Sequence, residues 1–288
     1  MAQVTNTKKN NYKIMNKRIV LLLLVILGIT SAFAQEDTRP KNTGDDFSLE
    51  GALEMFKNSN SLEEFEKGLN EENNQVNNLD LDGDGQTDYI NVEDIKENDS
   101  HMIVMSTYLN ETEKQDIALI AIEKTGEGNA VLQIEGDEDL FPKNTMLEPV
   151  AEEKGAVQNL KAESNVTEVS NSRTIVNVWG WPSVRYLYAP TYVVWVSPHR
   201  WRAYPRWWKP WRPVAHTVFY SYGVRYRPHY HVVTVRRGVA VRKVYYPRRH
   251  RSTLVVHNRR GTTVIHKNRR GGVKGVKVRG PRVRGGRR

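Results

Sequence analysis

Residues 174–211, TIVNVWGWPSVRYLYAPTYVVWVSPHRWRAYPRWWKPW, divide this chain: they hold all seven tryptophans, and nothing beyond them is acidic. After Glu168 the sequence has no Asp or Glu, while 28 Lys or Arg lie between Arg173 and Arg288. A segment of one sign repels itself and resists compaction unless counterions, an acidic surface or a polyanion neutralise it. Residues 35–172 have the opposite balance, 33 Asp or Glu against ten Lys or Arg. The chain therefore divides into an acidic half and a basic half.

Hydrophobic residues make up 39% of the chain, low for one compact globule, and Pro, Gly and Arg concentrate late. There is no cysteine, which excludes a disulfide framework, thiol catalysis and thiolate-built zinc or iron–sulfur sites. At the other end Lys17 and Arg18 precede an apolar run at 19–29, IVLLLLVILGI, and Ala32-Phe33-Ala34 follows it. That order predicts a signal peptide over 1–34, with Met15 as the true start and cleavage after Ala34. The run is shorter than the roughly 20 residues that span a bilayer. No cysteine follows it, so a lipoprotein anchor is excluded, and the expected location is secreted, periplasmic or on the outer cell surface.

Residues 35–46 have no periodicity and are expected to be a flexible leader. Leu49, Leu53 and Phe56 then recur at helical spacing, as do Leu62, Phe65 and Leu69, with Ser61 and Glu64 forming a capping box. Asn58-Ser59-Asn60 breaks the pattern, predicting two short helices. The runs 89–92, 102–109, 117–123 and 130–134 are rich in Ile, Val, Tyr and Leu and joined by short turns, so they predict antiparallel neighbours. The fold class expected is α+β: an acidic domain over 47–149, in which two N-terminal helices cover a small antiparallel sheet. A linker at 150–173 follows, then a Trp/Tyr/Arg/Pro-rich basic region at 174–250 and a Gly/Arg-rich tail at 251–288. This basic part is expected to be low-complexity, β-prone and partly disordered, with strand-like runs at 174–178, 192–196, 214–220, 229–235, 239–245, 254–257 and 262–265. Frequent proline confines many of these to edges or extended pieces. Near-copies around His257 and His266 repeat at about nine residues and suggest low-complexity expansion or a small hairpin array.

The constellation with chemical content is Asp80-Leu81-Asp82-Gly83-Asp84-Gly85-Gln86-Thr87-Asp88. Carboxylates at relative positions 1, 3, 5 and 9, with glycine at 6, make an oxygen-rich tight loop suited to a hard divalent cation. Asp80, Asp82, Asp84 and Asp88 would supply carboxylates and Gln86 its backbone carbonyl. Crowding four like charges into nine residues is unfavourable without a cation, so Ca2+ is the cofactor expected.

This loop resembles those of EF-hands, dockerins, thrombospondin type 3 repeats and integrin-type FG-GAP repeats, and Asp82-Gly83-Asp84-Gly85-x-x-Asp88 is closest to the FG-GAP form. An EF-hand would imply a bidentate Glu where Asn91 stands and an apolar residue where Thr87 stands. The strand-like residues that follow fit a hairpin loop better than an exiting helix. The order of signal peptide, acidic calcium-like domain and Trp/Arg tail also resembles secreted proteins of Bacteroidota to which no activity is assigned.

In the basic region, Trp201, Trp207, Trp208 and Trp211 interleave with Arg200, Arg202, Arg206, Lys209 and Arg212, and further arginine pairs stand at Arg236 and Arg237, Arg248 and Arg249, Arg259 and Arg260, and Arg269 and Arg270. Flat apolar faces beside fixed cations suit phosphate or carboxylate polymers, bases, sugars or an anionic membrane interface. Anionic envelope glycans or lipopolysaccharide are the expected partners, ahead of extracellular nucleic acid and peripheral membrane contact. Packing of these aromatics as the core of a small domain is the competing reading. His229 and His231 would share a strand face, but the surrounding arginines repel a metal.

No Ser-His-Asp or paired-carboxylate arrangement stands out, and a non-enzymatic binding protein is the function expected. The alternative is a structural, self-associating surface protein in which the acidic half of one molecule meets the basic half of another. A hydrolase of envelope polymers is the third class, and it lacks a recognisable set of catalytic residues.

Overall fold

A computed structural model describes residues 42–151 and 175–251 in full and, beyond them, the backbone of three strands. The predicted signal peptide, the leader up to residue 41, all but the first two residues of the predicted linker, and Arg259, Arg260, Arg269 and Arg270 lie outside the described residues.

The end of the leader is a short 3-10 turn, Thr43–Asp46. Helix α1, Leu49–Asn58, starts at Ser48, whose hydroxyl oxygen accepts the Gly51 N–H at 3.0 Å. Helix α2, Leu62–Leu69, starts at Ser61, whose oxygen accepts the Glu64 N–H at 3.0 Å. The Glu64 carboxylate reaches back to the Asn60 N–H at 2.8 Å, so the predicted capping box closes one residue further out than its usual form. Leu49, Leu53, Phe56, Leu62, Phe65 and Leu69 are all buried, and the Phe56 and Phe65 rings meet edge to face at 5.4 Å.

Strands β1 (Asn91–Glu97), β2 (Ser100–Tyr108), β3 (Lys114–Gly126) and β4 (Asn129–Gly136) form the expected antiparallel meander. Two turn residues hold left-handed backbone where the sequence supplied Asn98 and Gly128. Beyond the meander, β5 (Met146–Pro149) and β6 (Tyr230–Val232) extend the sheet to six strands in the order β1-β2-β3-β4-β5-β6. The last of these comes from the basic half and pairs Leu147 with Val232 and Pro149 with Tyr230.

Among the described residues of the basic half, three α-helices form: α3 (Pro182–Leu187), α4 (His216–Gly223) and α5 (Val239–Tyr245). The runs 214–220 and 239–245 were expected as strands, and this is corrected. Their valines and aromatics favour a strand locally, but Val241 and Tyr245 are one helical turn apart and bury together on Ile95, Met102, Val104, Leu119 and Ala121. Residues 175–178 and 192–196, also expected as strands, form no regular strand; an isolated bridge pairs Val196 with Glu93. At 253–277 the predicted hairpin array is a three-stranded antiparallel sheet of β7 (Thr253–Asn258), β8 (Gly261–Lys267) and β9 (Val273–Lys277).

The six-stranded sheet thus has two covered faces. One carries Val92, Ile103, Met105, Ile120 and Ile122 into the core with α1 and α2, and the other is roofed by α5. The roof brings its own charge. Arg242, buried, pairs with Glu135; Arg236 meets the same carboxylate at 2.8 Å and Arg237 meets Glu148 at 2.6 Å. Arg249 bonds Asp137 and reaches Asp139, while Arg251 meets Asp139 at 2.8 Å. The self-repulsion expected of the basic half is relieved here by carboxylates of the acidic half. Among the described residues no helix is long and apolar enough to cross a membrane.

Candidate metal centre

The Asp loop is held at both ends before any ion is considered. At its exit, the Asn70 side chain brackets Ile90, donating to its carbonyl at 2.7 Å and accepting its N–H at 2.8 Å. At its base, Asn77 donates to the Asp88 carbonyl at 2.8 Å, and the Asp88 N–H donates to Leu79 at the same distance. Gly83 and Gly85 have φ of 76° and 86°, which an ordinary side chain would resist. Three internal bonds curl the loop: Asp84 N–H to the Asp82 carboxylate at 3.0 Å, Gly85 N–H to Asp80 at 3.0 Å, and Gln86 N–H to Asp84 at 2.8 Å.

The result is a convergence of Asp80, Asp82 and Asp84, with one oxygen from each lying within 4.8 Å of the others. Oxygens bound to one calcium at about 2.3–2.6 Å are at most about 5 Å apart, so the three fit a single coordination sphere. Burial pushes the Asp82 carboxyl up to about 6, and the charges of Asp84 and Asp80 push the same way. A cation would take the place of the proton that this crowding favours.

Of the two other predicted ligands, Asp88 is placed differently. The Asp88 carboxylate is buried and accepts the Leu81 N–H at 2.6 Å, closing the loop's neck outside the converging group; burial first, then the like charges, hold its pKa well above the usual carboxylate range. Gln86 is exposed and its amide donates to Asp84 at 3.3 Å. Asn91, at the place of the EF-hand glutamate, turns away and donates to Ser197 and to the His199 carbonyl, each at 2.9 Å.

Those last contacts belong to a strap, residues 192–214, that crosses the loop. The Thr87 N–H donates to the Trp211 carbonyl at 2.8 Å, and the Trp211 N–H donates to the Thr87 hydroxyl at 3.3 Å. Asn78 brackets Val214 through bonds of 2.8 and 3.0 Å. The Tyr89 ring lies against Tyr204, Trp208 and His199. Beneath them Glu66, only 2% exposed, accepts from the hydroxyls of Tyr89 (2.9 Å) and Ser197 (2.7 Å) and from the N–H groups of Val92 (3.0 Å) and Trp195 (3.4 Å). Burial outweighs these four donors and raises its pKa.

The predicted polyanion contacts fall into two groups. Arg200, Arg202, Arg206, Lys209 and Arg212 are exposed on the strap, and no carboxylate among the described residues pairs with them; Trp207 is exposed beside them, while Trp201, Trp208 and Trp211 are half-buried. Trp208 packs on Tyr89 and Tyr204, so part of the aromatic content is packing. In contrast, Arg236, Arg237 and Arg249 are already engaged by Glu135, Glu148 and Asp137, and Arg248 is exposed. These three arginines therefore have carboxylate partners within their own chain.

Sequence reading missed Glu66, Thr87, Asn70 and Asn78 as structural partners of the site. Two of them left a trace. Glu66 shares the helical stripe of Leu62, Phe65 and Leu69, where a carboxylate is out of place. Thr87 is polar where an EF-hand would have an apolar residue, because its side chain meets the strap's backbone. No protein-family model matches the chain, and neither a curated protein nor a solved structure is similar to it.

Proposed function

We propose that this chain is a secreted, non-enzymatic binding protein whose Asp loop takes calcium and whose strap faces an anionic polymer of the cell envelope, a glycan or lipopolysaccharide. The convergence of Asp80, Asp82 and Asp84 is the observation that carries the reading. An all-oxygen donor set favours a hard cation over zinc or copper. With Asn91 turned away and Asp88 closing the neck, few protein ligands remain, which points to a weak site of roughly 10⁻⁴ to 10⁻³ M, the range of extracellular modules. Self-association through opposite charges is the weaker reading, since Arg236, Arg237, Arg242, Arg249 and Arg251 already meet carboxylates of their own chain.

The test is thermal melting of the mature chain with and without calcium. At a calcium concentration tenfold above the dissociation constant, linkage adds about 1.4 kcal/mol. For a domain of this size that is a rise of about 3–6 °C. Asp82→Ala combined with Asp84→Ala is expected to abolish the rise. A wild-type transition that does not move at 10 mM calcium refutes the reading.

A further inference from the structure

Between the Asp loop and the strap runs an open groove lined by Asp84, Gly85, Gln86, Pro210, Trp211 and Arg212. We propose that this groove is the binding subsite for one uronic-acid unit of an acidic glycan. The proposal rests on the reading that the strap faces an anionic polymer, and it names the place and the chemistry. Arg212 is exposed, and among the described residues it has no carboxylate partner, unlike the engaged arginines of 236–251. Its planar guanidinium matches a carboxylate through two parallel hydrogen bonds. Trp211 is half-buried and offers an apolar surface for the face of a sugar ring. Across the groove, the exposed Asp84 carboxylate and Gln86 amide, which touch at 3.3 Å, provide an acceptor and a donor for ring hydroxyls.

The groove is also built in advance of its ligand. Thr87 clamps Trp211 through backbone and hydroxyl, and Asn78 brackets Val214, so both sides of Arg212 are tied to the acidic half. Such preorganisation lowers the ordering cost of binding. One guanidinium facing one carboxylate wall suits a monoanion. A dianionic terminal phosphate would meet Asp84 and its neighbour Asp82 with only one cation in the groove to offset its two charges. Those charges disfavour a dianionic phosphate group, and the spacing of one guanidinium, one aromatic ring and two polar groups for ring hydroxyls favours a carboxylated sugar.

The experiment titrates the mature chain with trigalacturonate, its methyl ester, a 12-residue oligothymidylate and heparin, following tryptophan fluorescence in EDTA so that no cation bridges the ligand to Asp84, which the groove shares with the candidate cation site. Saturable binding of trigalacturonate is expected, with the methyl ester at least tenfold weaker. Arg212→Gln and Trp211→Leu should each weaken trigalacturonate at least tenfold without lowering the melting temperature of the Arg212 variant. A control variant, Lys243→Gln at an exposed cation of α5, should stay within threefold of wild type for trigalacturonate. Equal binding of acid and ester, an unaffected Arg212→Gln, or oligothymidylate binding tighter than trigalacturonate overturns the proposal. Heparin separates it from the broader reading: heparin bound without trigalacturonate sinks the groove alone, and neither bound sinks both.

Discussion

Glu66 shows how much one side chain does in this fold. Its carboxylate gathers a strand N–H, two hydroxyls and an indole N–H, tying α2 to β1 and both to the strap. Glu66→Leu would leave the Val92 N–H without its acceptor and should cost about 1–3 kcal/mol or more in urea denaturation. Because burial raises the Glu66 pKa above its ordinary 4.5, the folded chain holds this proton more tightly than the unfolded chain. The associated stability is therefore full below about 4.5 and is lost as pH rises through the folded value. Glu66→Gln should flatten that fall, and a stability profile identical to wild type from pH 4 to 7 would refute the assignment. Thr87 and Asn91 show what was legible at this scale. Both depart from the calcium-loop pattern, but a departure does not say where the side chain goes. The strap that receives each of them lies more than a hundred residues away.

At the scale of elements, α5 is the informative case. Its residues, VAVRKVY, carry a strand's composition and a helix's spacing at once. Seven residues are too few for periodicity to decide between them. The second face of the sheet decides, because a helix delivers Val241 and Tyr245 to it and places Arg242 on Glu135. Removing one partner of a buried pair costs far more than replacing both. Arg242→Ala is expected to lose about 3 kcal/mol, whereas Arg242→Met combined with Glu135→Leu should recover most of it. A double-mutant cycle from denaturant titrations measures this, and a loss below about 1 kcal/mol would make the pair no stronger than a surface contact. By comparison α1, α2 and the meander were legible from sequence alone. Their apolar spacing, breakers and capping residues agree with one another over short distances, so local and global preferences coincide.

For the whole molecule, the two charge signs make one folded unit in place of two separate halves. The basic half provides β6, the roof α5 and the cations opposite Glu135, Glu148 and the 137–139 turn. A fragment of residues 42–151 would therefore expose Ile95, Met102, Val104, Leu119 and Ala121 to water. It should bind a hydrophobic dye and lack the cooperative melting of the mature chain, with residues 175–288 added in trans restoring the transition. A sharp melt of the fragment alone, without dye binding, would refute this coupling. Sequence by itself determined the α+β class, both N-terminal helices, the four-stranded meander and the Asp loop, because spacing, turn residues and like-charge crowding act within about a dozen residues. Tertiary structure alone decided which arginines are consumed by carboxylates, which aspartates converge, and that the tryptophan strap crosses the Asp loop. Those outcomes depend on contacts between residues far apart in the chain, and composition carries no record of distance.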